Sequence, residues 1–449
     1  MKSSIKFVSA FAAGMILAAG SALFTSCGEK KATATVRYLN FKPEVTEQYK
    51  QLAAEYEKAT GVKVIVETAA NNSYEQTLMS KMATKEAPTL FQINGPKGYA
   101  RWKDFCADLK DTDLYKHLSD KSIAVTAGDG VYGIPYAIEG YGIIYNKALT
   151  DKYFALENRA TTFTSMDEIN NFAKLKELVN DMQSKASELG IKGVFASTSL
   201  KSGEDWRWQT HLANLPVYYE FKTNNVDLSS DATNRISFQY GDNFKNILDL
   251  YLENSTVDRK TVGTKTVVDS MSEFALEECV MVQNGNWAWG QIEGVSGNKV
   301  KAENVKYLPI YTDVSGEEGQ GLCVGTENFY SINSQASEAD QKAAADFVYW
   351  MFSSEIGKRY VTNELRFIAP FDTFTDAERP TDPLAKEVIN WMSKPGITSV
   401  PWNFTLFPSQ KFKNDFGASL LKYAQQQKDW SDVASDVAAS WAKESESIQ

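Results

Sequence analysis

Histidine is nearly missing: only His117 and His211 occur in 449 residues, beside four cysteines. With so few, there is no His-Glu-x-x-His pair and no close Cys/His cluster to hold a metal. No Gly-x-Ser-x-Gly elbow occurs, and no Walker-type glycine loop for nucleotide hydrolysis. Past residue 26, no apolar run approaches the roughly 20 residues that a membrane helix needs. Basic surplus is missing too: the formal net charge is −10, whereas nucleic acid demands basic patches. Cys27, Cys106, Cys279 and Cys323 are too widely spaced for a disulfide framework, and buried thiols are expected at 106, 279 and 323. Glu139, Glu204 and Asp205 supply carboxylates, but no spacing marks two of them as the acid–base pair of a glycoside hydrolase.

What remains is ordinary in hydrophobic content (43%) and charge (23%), and long enough for two or three packed cores. Aromatic residues make up 12%, including 10 Trp and 21 Tyr. That is more than a structural core requires, although large cores also use Trp and Tyr.

Residues 1–26 read as a targeting leader: Lys2 and Lys6 precede an apolar run to Phe24, and Thr25 and Ser26 stand before Cys27. The end of this run looks like a lipoprotein-processing box, with Phe24 where Leu is usual. Cys27 is the expected lipidation site and 27–35 a short polar tether. Cleavage there removes two lysines and no acids, and so moves the formal charge from −10 to −12.

The pattern after the tether alternates strand and helix. Strands are expected at 36–40, 62–66 and 89–93, with a helix opening at Pro43 and ending at Gly61. A second helix follows a capping-box sequence at 73–76. This β-α-β-α-β order predicts a parallel sheet covered by helices, with ligand-binding loops beyond the carboxyl ends of its strands. Lys42, Asn94 and Gly95 stand at such ends. Further on, helices are expected over 167–189, 244–252 and 336–352, and strands at 193–197 and 328–332. The stretch Val280-Met-Val-Gln-Asn-Gly285 leads into Trp287 and Trp289. Two more tryptophans, Trp206 and Trp208, lie beside Glu204 and Asp205 in an unusual polar-aromatic cluster. No internal repeat is present.

The stretch 131–147 reads Val-Tyr-Gly-Ile-Pro-Tyr-Ala-Ile-Glu-Gly-Tyr-Gly-Ile-Ile-Tyr-Asn-Lys, two extended segments expected to join at Glu139-Gly140. It resembles the crossing segment of the extracellular solute-binding proteins of ATP-binding-cassette sugar importers, the maltose-binding-protein-like group (family 1). The resemblance implies an α/β, two-lobed periplasmic-binding-protein fold of class II type. Each lobe would be a mostly parallel sheet with flanking helices, and the ligand would lie between the lobes. The lobes are then expected over 33–136 with 312–354 and over 140–307 with 356–449, with crossings near 137–139, 308–311 and 355.

The same resemblance implies a receptor and not an enzyme: a monomer without cofactor or metal, anchored on the extracytoplasmic face of the membrane. It would bind a mono- or oligosaccharide by hinge closure and deliver it to a permease. A sugar offers hydroxyl edges to carboxylates and amides, and C–H faces to aromatic rings. The stretch 280–289 resembles the family's strand-to-helix segment whose first tryptophan stacks on a sugar ring, which implies that role for Trp287, with Glu139 and Asp205 expected to accept hydroxyl protons. Asn94 and Arg366 would bind from other sides, and Trp206 and Trp208 compete for a second stacking role. Core packing is the competing role for each tryptophan, a turn for Asn94, and a surface ion pair for Arg366. A non-sugar solute on the same fold (polyamine, metal chelate, phosphate ester or peptide) and a surface glycosidase or adhesin are the alternative functions.

Overall fold

A computed structural model describes residues 34–70 and 72–447; the expected leader at 1–26 and Cys27 lie outside them. The strands, in chain order, are β1 (Thr35–Asn40), β2 (Lys63–Thr68), β3 (Leu90–Ile93), β4 (Val125–Ala127), β5 (Gly130–Gly133) and β6 (Glu139–Asn146). They continue with β7 (Gly193–Phe195), β8 (Cys279–Gly285), β9 (Val305–Leu308), β10 (Gln320–Gly325), β11 (Phe329–Ile332) and β12 (Thr398–Pro401).

The first sheet has the order β11-β3-β1-β2. β1 runs parallel to β2 and to β3, while β11 is antiparallel to β3 with Phe329 opposite Ile93. Its helices form where the periodicity places them. The helix Thr46–Thr60 buries Tyr49, Leu52 and Tyr56, and it ends at Gly61 with φ 75°, a left-handed stop that glycine adopts without strain. The helix Tyr74–Met82 starts after Ser73, whose hydroxyl donates to the Ala70 carbonyl rather than capping; the expected capping box does not form. Tyr38, Tyr49, Leu52, Phe347 and Phe367 share the core of this lobe.

The second sheet has the order β12-β10-β6-β8-β7, with β9 also on β6. β6 is antiparallel to β8, β9 and β10, and the parallel pairs are β7 with β8 and β10 with β12. This lobe is thus mixed, where a mostly parallel sheet was expected. Its strands bury side chains on both faces. Tyr141, Ile143 and Tyr145 meet one set of helices, and Ile144, Val282 and Tyr307 pack with Leu384 and Val388 on the other.

Three segments join the sheets. Residues 134–138 carry bridges from Ile134 to Tyr330 and from Ile138 to Ile368. The second join is 326–328, because β10 still belongs to the second sheet; the return expected at 308–311 lies too early. The third runs from Phe371 and Phe374, still packed on the first core, to Leu384 in the second; the expected crossing at 355 also lies too early. Cys106, Cys279 and Cys323 are buried free thiols. No helix among the described residues is long and apolar enough to cross a membrane.

Gly140 and Gly142 lie within β6 rather than in a turn. A Cβ at 142 would sit 2.7 Å from the Leu308 carbonyl oxygen, and one at 140 would sit 2.8 Å from the Val388 methyls. Backbone on β9 cannot yield as a side-chain tip can. Gly142→Ala is therefore expected to cost about 1–3 kcal/mol through overpacking, read as a lower urea midpoint; an unchanged midpoint would refute the close-approach role.

Candidate functional site

The site begins at the carboxyl end of β1. Asn40, fully buried, donates from Nδ2 to the Lys42 carbonyl at 2.8 Å and accepts the Lys42 N–H at 3.1 Å. This local bonding fixes the loop and turns the Lys42 side chain inward. Its Nζ lies 2.9 Å from Glu139 and 3.1 Å from Glu44, 5.3 Å from the Phe41 ring centroid and 5.3 Å from that of Trp287. Glu139 opens β6 at 2% exposure and accepts a further hydrogen bond from the Tyr136 hydroxyl. One ammonium thus serves two carboxylates. Burial alone would lower the Lys42 pKa, but Glu139 and Glu44 outweigh it and raise it well above 10.5.

The next strand residue ties this cluster to the aromatic wall. Gly140 N–H donates to Asn286 Oδ1 at 2.9 Å, at the short 3₁₀ turn Asn286–Ala288 that carries Trp287. A Cβ on Gly285 would collide with the six-membered ring of Trp287, so glycine is required there for space. Trp287 is half-buried, with ring centroids 6.1 Å from Trp206, 5.3 Å from His211 and 6.5 Å from Trp402. His211 stacks on Tyr141 at 4.6 Å, and burial together with Lys413, Lys42 and Arg207 holds its imidazole neutral. Trp206 precedes a π-helical stretch, Arg207–Leu212, a wide turn of the kind that recurs at functional sites.

Between the lobes lies a cavity of about 390 Å³. Phe41, Lys42, Tyr74 and Asn94 line it from the first lobe, Trp206, His211, Trp287 and Lys413 from the second, and Glu327 from the second crossing. The lobes also touch each other. Asn72 Nδ2 donates to the Gly203 carbonyl at 3.2 Å, and Lys97 Nζ to Asn234 Oδ1 at 2.6 Å.

Of the residues singled out in the sequence, Lys42, Asn94, Glu139, Trp206 and Trp287 line this one cavity. Gly95, with φ 62°, lies against Thr405 of the other lobe, where a Cβ would come within 2.8 Å. Three others fall elsewhere. Asp205 is 4% exposed, packed against Gly417 of the helix Gln410–Ala424, and burial pushes its carboxyl up to about 6. Trp208 is 3% exposed in the second core, its indole N–H on the Ser199 carbonyl at 3.0 Å. Arg366 forms ion pairs with Glu293 at 2.8 Å and Asp382 at 3.5 Å and does not reach the cavity. Tyr74, His211, Glu327 and Lys413 were not anticipated. The nearest signal was Lys413 itself, a charge beside Phe412 on a helix whose buried face also carries Phe416 and Leu420.

Residues 51–387 match the family of bacterial extracellular solute-binding proteins. The chain belongs to that family. It is accordingly a binding protein and not an enzyme. The melibiose/raffinose/stachyose-binding protein MelE of Bacillus subtilis is 27% identical over 141 residues, 31% of this chain and 33% of that protein; the match thus spans about a third of the relative's length. Among solved structures, a chitin oligosaccharide binding protein matches with a TM-score of 0.68 at 17% identity, over 92% of this chain and 98% of its own. RafE in complex with raffinose matches at 0.67 and 17%, over 92% and 100%. A sugar transporter of Bacillus licheniformis in complex with stachyose matches at 0.65 and 17%, over 92% and 100%. At such identities the likeness is one of fold.

Lys42→Met would leave Glu139 and Glu44 facing each other without a cation. The expected loss is about 3–5 kcal/mol near neutral pH, and adding Glu139→Gln should recover part of it; urea midpoints equal to wild type would show the pair to be idle. A raised lysine pKa also sets the pH window. The stabilisation is complete below 10.5 and falls away only as pH climbs through the higher folded value.

Proposed function

We propose that this solute-binding protein captures a carbohydrate in the inter-lobe cavity and passes it to the membrane permease of an ATP-binding-cassette importer. One observation carries the reading: the half-buried faces of Trp206 and Trp287 stand beside Lys42, Glu139 and Asn94 in a single cavity. Aromatic faces suit the C–H face of a sugar ring, and the polar groups suit its hydroxyl edge. The volume, about 390 Å³, lies in the ordinary range for small-molecule sites. The names of the similar proteins, with raffinose, stachyose, melibiose and chitin oligosaccharide among their ligands, support the same class.

Glu139 accepts from two protein donors, so its role is to hold Lys42 while presenting any remaining lone pair to a hydroxyl. Ligand that touches both lobes favours their closed arrangement in proportion to its differential affinity. In this proposal Cys27 carries the lipid after removal of 1–26, and a monomer faces the extracytoplasmic space. The cavity's free polar groups suit a neutral ligand better than a phosphate ester, because Lys42 is already committed to two acids.

Calorimetric titration with mono- and oligosaccharides tests the reading. Micromolar or tighter binding to one sugar is expected, weakened about ten-fold or more by Trp287→Ala and left alone by Trp208→Phe in the core. Heat from no sugar in the panel would sink the carbohydrate reading. Equal loss in both variants would sink the assignment of the stacking face to Trp287.

A further inference from the structure

Polar atoms without partners gather round the cavity. Asn94 Oδ1 and Gln291 Oε1, both lining it, are buried without a hydrogen bond, as is Thr326 Oγ1 beside Glu327. Lys413 is the stronger case. Its residue is 9% exposed, on the helix Gln410–Ala424 among the core residues Phe412, Phe416 and Leu420. Yet its ammonium lines the cavity without a hydrogen bond or ion pair among the described residues. The Glu327 carboxylate, half-buried, lines the same cavity, likewise without a hydrogen bond or ion pair among the described residues. The two feel each other's charge but do not touch. A buried charge left so costs free energy unless a third group comes between.

We propose that Glu327 and Lys413 form a polar clamp that grips a hydroxyl, or two adjacent ones, of the bound carbohydrate and selects an uncharged ring over an acidic one. This rests on the carbohydrate reading above. Lys413 donates to the hydroxyl oxygen, and the hydroxyl donates to ionised Glu327. Selection follows from charge balance. Lys42 is occupied by Glu44 and Glu139, and Lys413 is balanced by Glu327, so the cavity has no cation to spare for a uronate.

The clamp also predicts a proton linkage. Burial pushes the Glu327 carboxyl up to about 7, with Lys413 and Lys42 pulling it down and Glu139 and Glu44 pushing it up. Across the cavity His211 stays neutral through this range. Ligand that requires the ionised carboxylate binds more tightly as pH rises through that value, and it releases a proton where Glu327 was protonated.

The test is calorimetry on the purified protein with raffinose, stachyose, chitotriose and trigalacturonic acid, at about pH 6 and about pH 8. One neutral sugar is expected to bind, more tightly at the higher pH, with trigalacturonic acid weaker. Lys413→Met and Glu327→Gln should each weaken it about ten-fold or more. Glu327→Gln, nearly isosteric, should also abolish the pH dependence, a readout that a folding defect would not mimic. Variants that bind as wild type does, a retained pH slope in Glu327→Gln, or preference for the acidic sugar would overturn the clamp and leave the receptor intact. If no neutral sugar binds wild type, the carbohydrate reading falls and takes the clamp with it.

Discussion

A carboxylate taken out of water sets the terms for the rest of the cleft. Glu139 has 2% exposure at the first position of β6, and a charge held there needs compensation from nearby groups. Lys42 provides it from the loop after β1, and the Tyr136 hydroxyl from the first crossing. Since β1 belongs to one sheet and β6 to the other, the compensation joins the two lobes at the floor of the cavity. Asn40 then has to hold the Lys42 loop, and Gly140 passes the constraint to Asn286 and so to Trp287. Strand ends, ion pair and aromatic wall are one connected arrangement.

The first sheet was legible because its strands announce themselves. Val62, Val64 and Val66 alternate, and Gly61 stops the preceding helix. The second sheet hid its organisation in glycine. At Gly321 and Gly325 a Cβ would meet Ile397 at 2.9 Å and Trp402 at 2.6 Å, so neighbouring segments leave no room for side chains there. A strand of that kind carries no periodic signal and reads as a loop, which is why the second crossing was expected some fifteen residues early. Gly140 misled in the same way: close approach by Val388 looks, in sequence, like a turn. Strand direction was equally invisible. Nothing local to β6 states that three antiparallel partners will flank it.

The cleft was half legible. Lys42, Glu139 and Trp287 follow from the order of segments shared with a known family. Trp206 and Trp208 did not separate, since both sit in one polar-aromatic run. The π-helical turn decides between them: it leaves Trp206 at the cavity and sends Trp208 to the core. Glu327 and Lys413 are 86 positions apart and come to one cavity only because the chain crosses between lobes three times. No spacing rule spans that distance.

Two kinds of cross-lobe contact therefore differ in strength. At the floor, the Lys42–Glu139 pair is buried and shared with Glu44. At the mouth, the contacts are single hydrogen bonds, Asn72 to Gly203 and Lys97 to Asn234, worth about 1 kcal/mol for the neutral bond and about 1.5–3 kcal/mol for the one with a charged donor. Between floor and mouth lie half-buried indoles and unpartnered polar atoms, which the protein alone does not satisfy. A ligand that satisfies them adds contacts that exist only when both walls are near. Its affinity would thus sit where the protein's own hydrogen bonds across the cleft are single, and any difference in affinity between two lobe arrangements would set how far it shifts them.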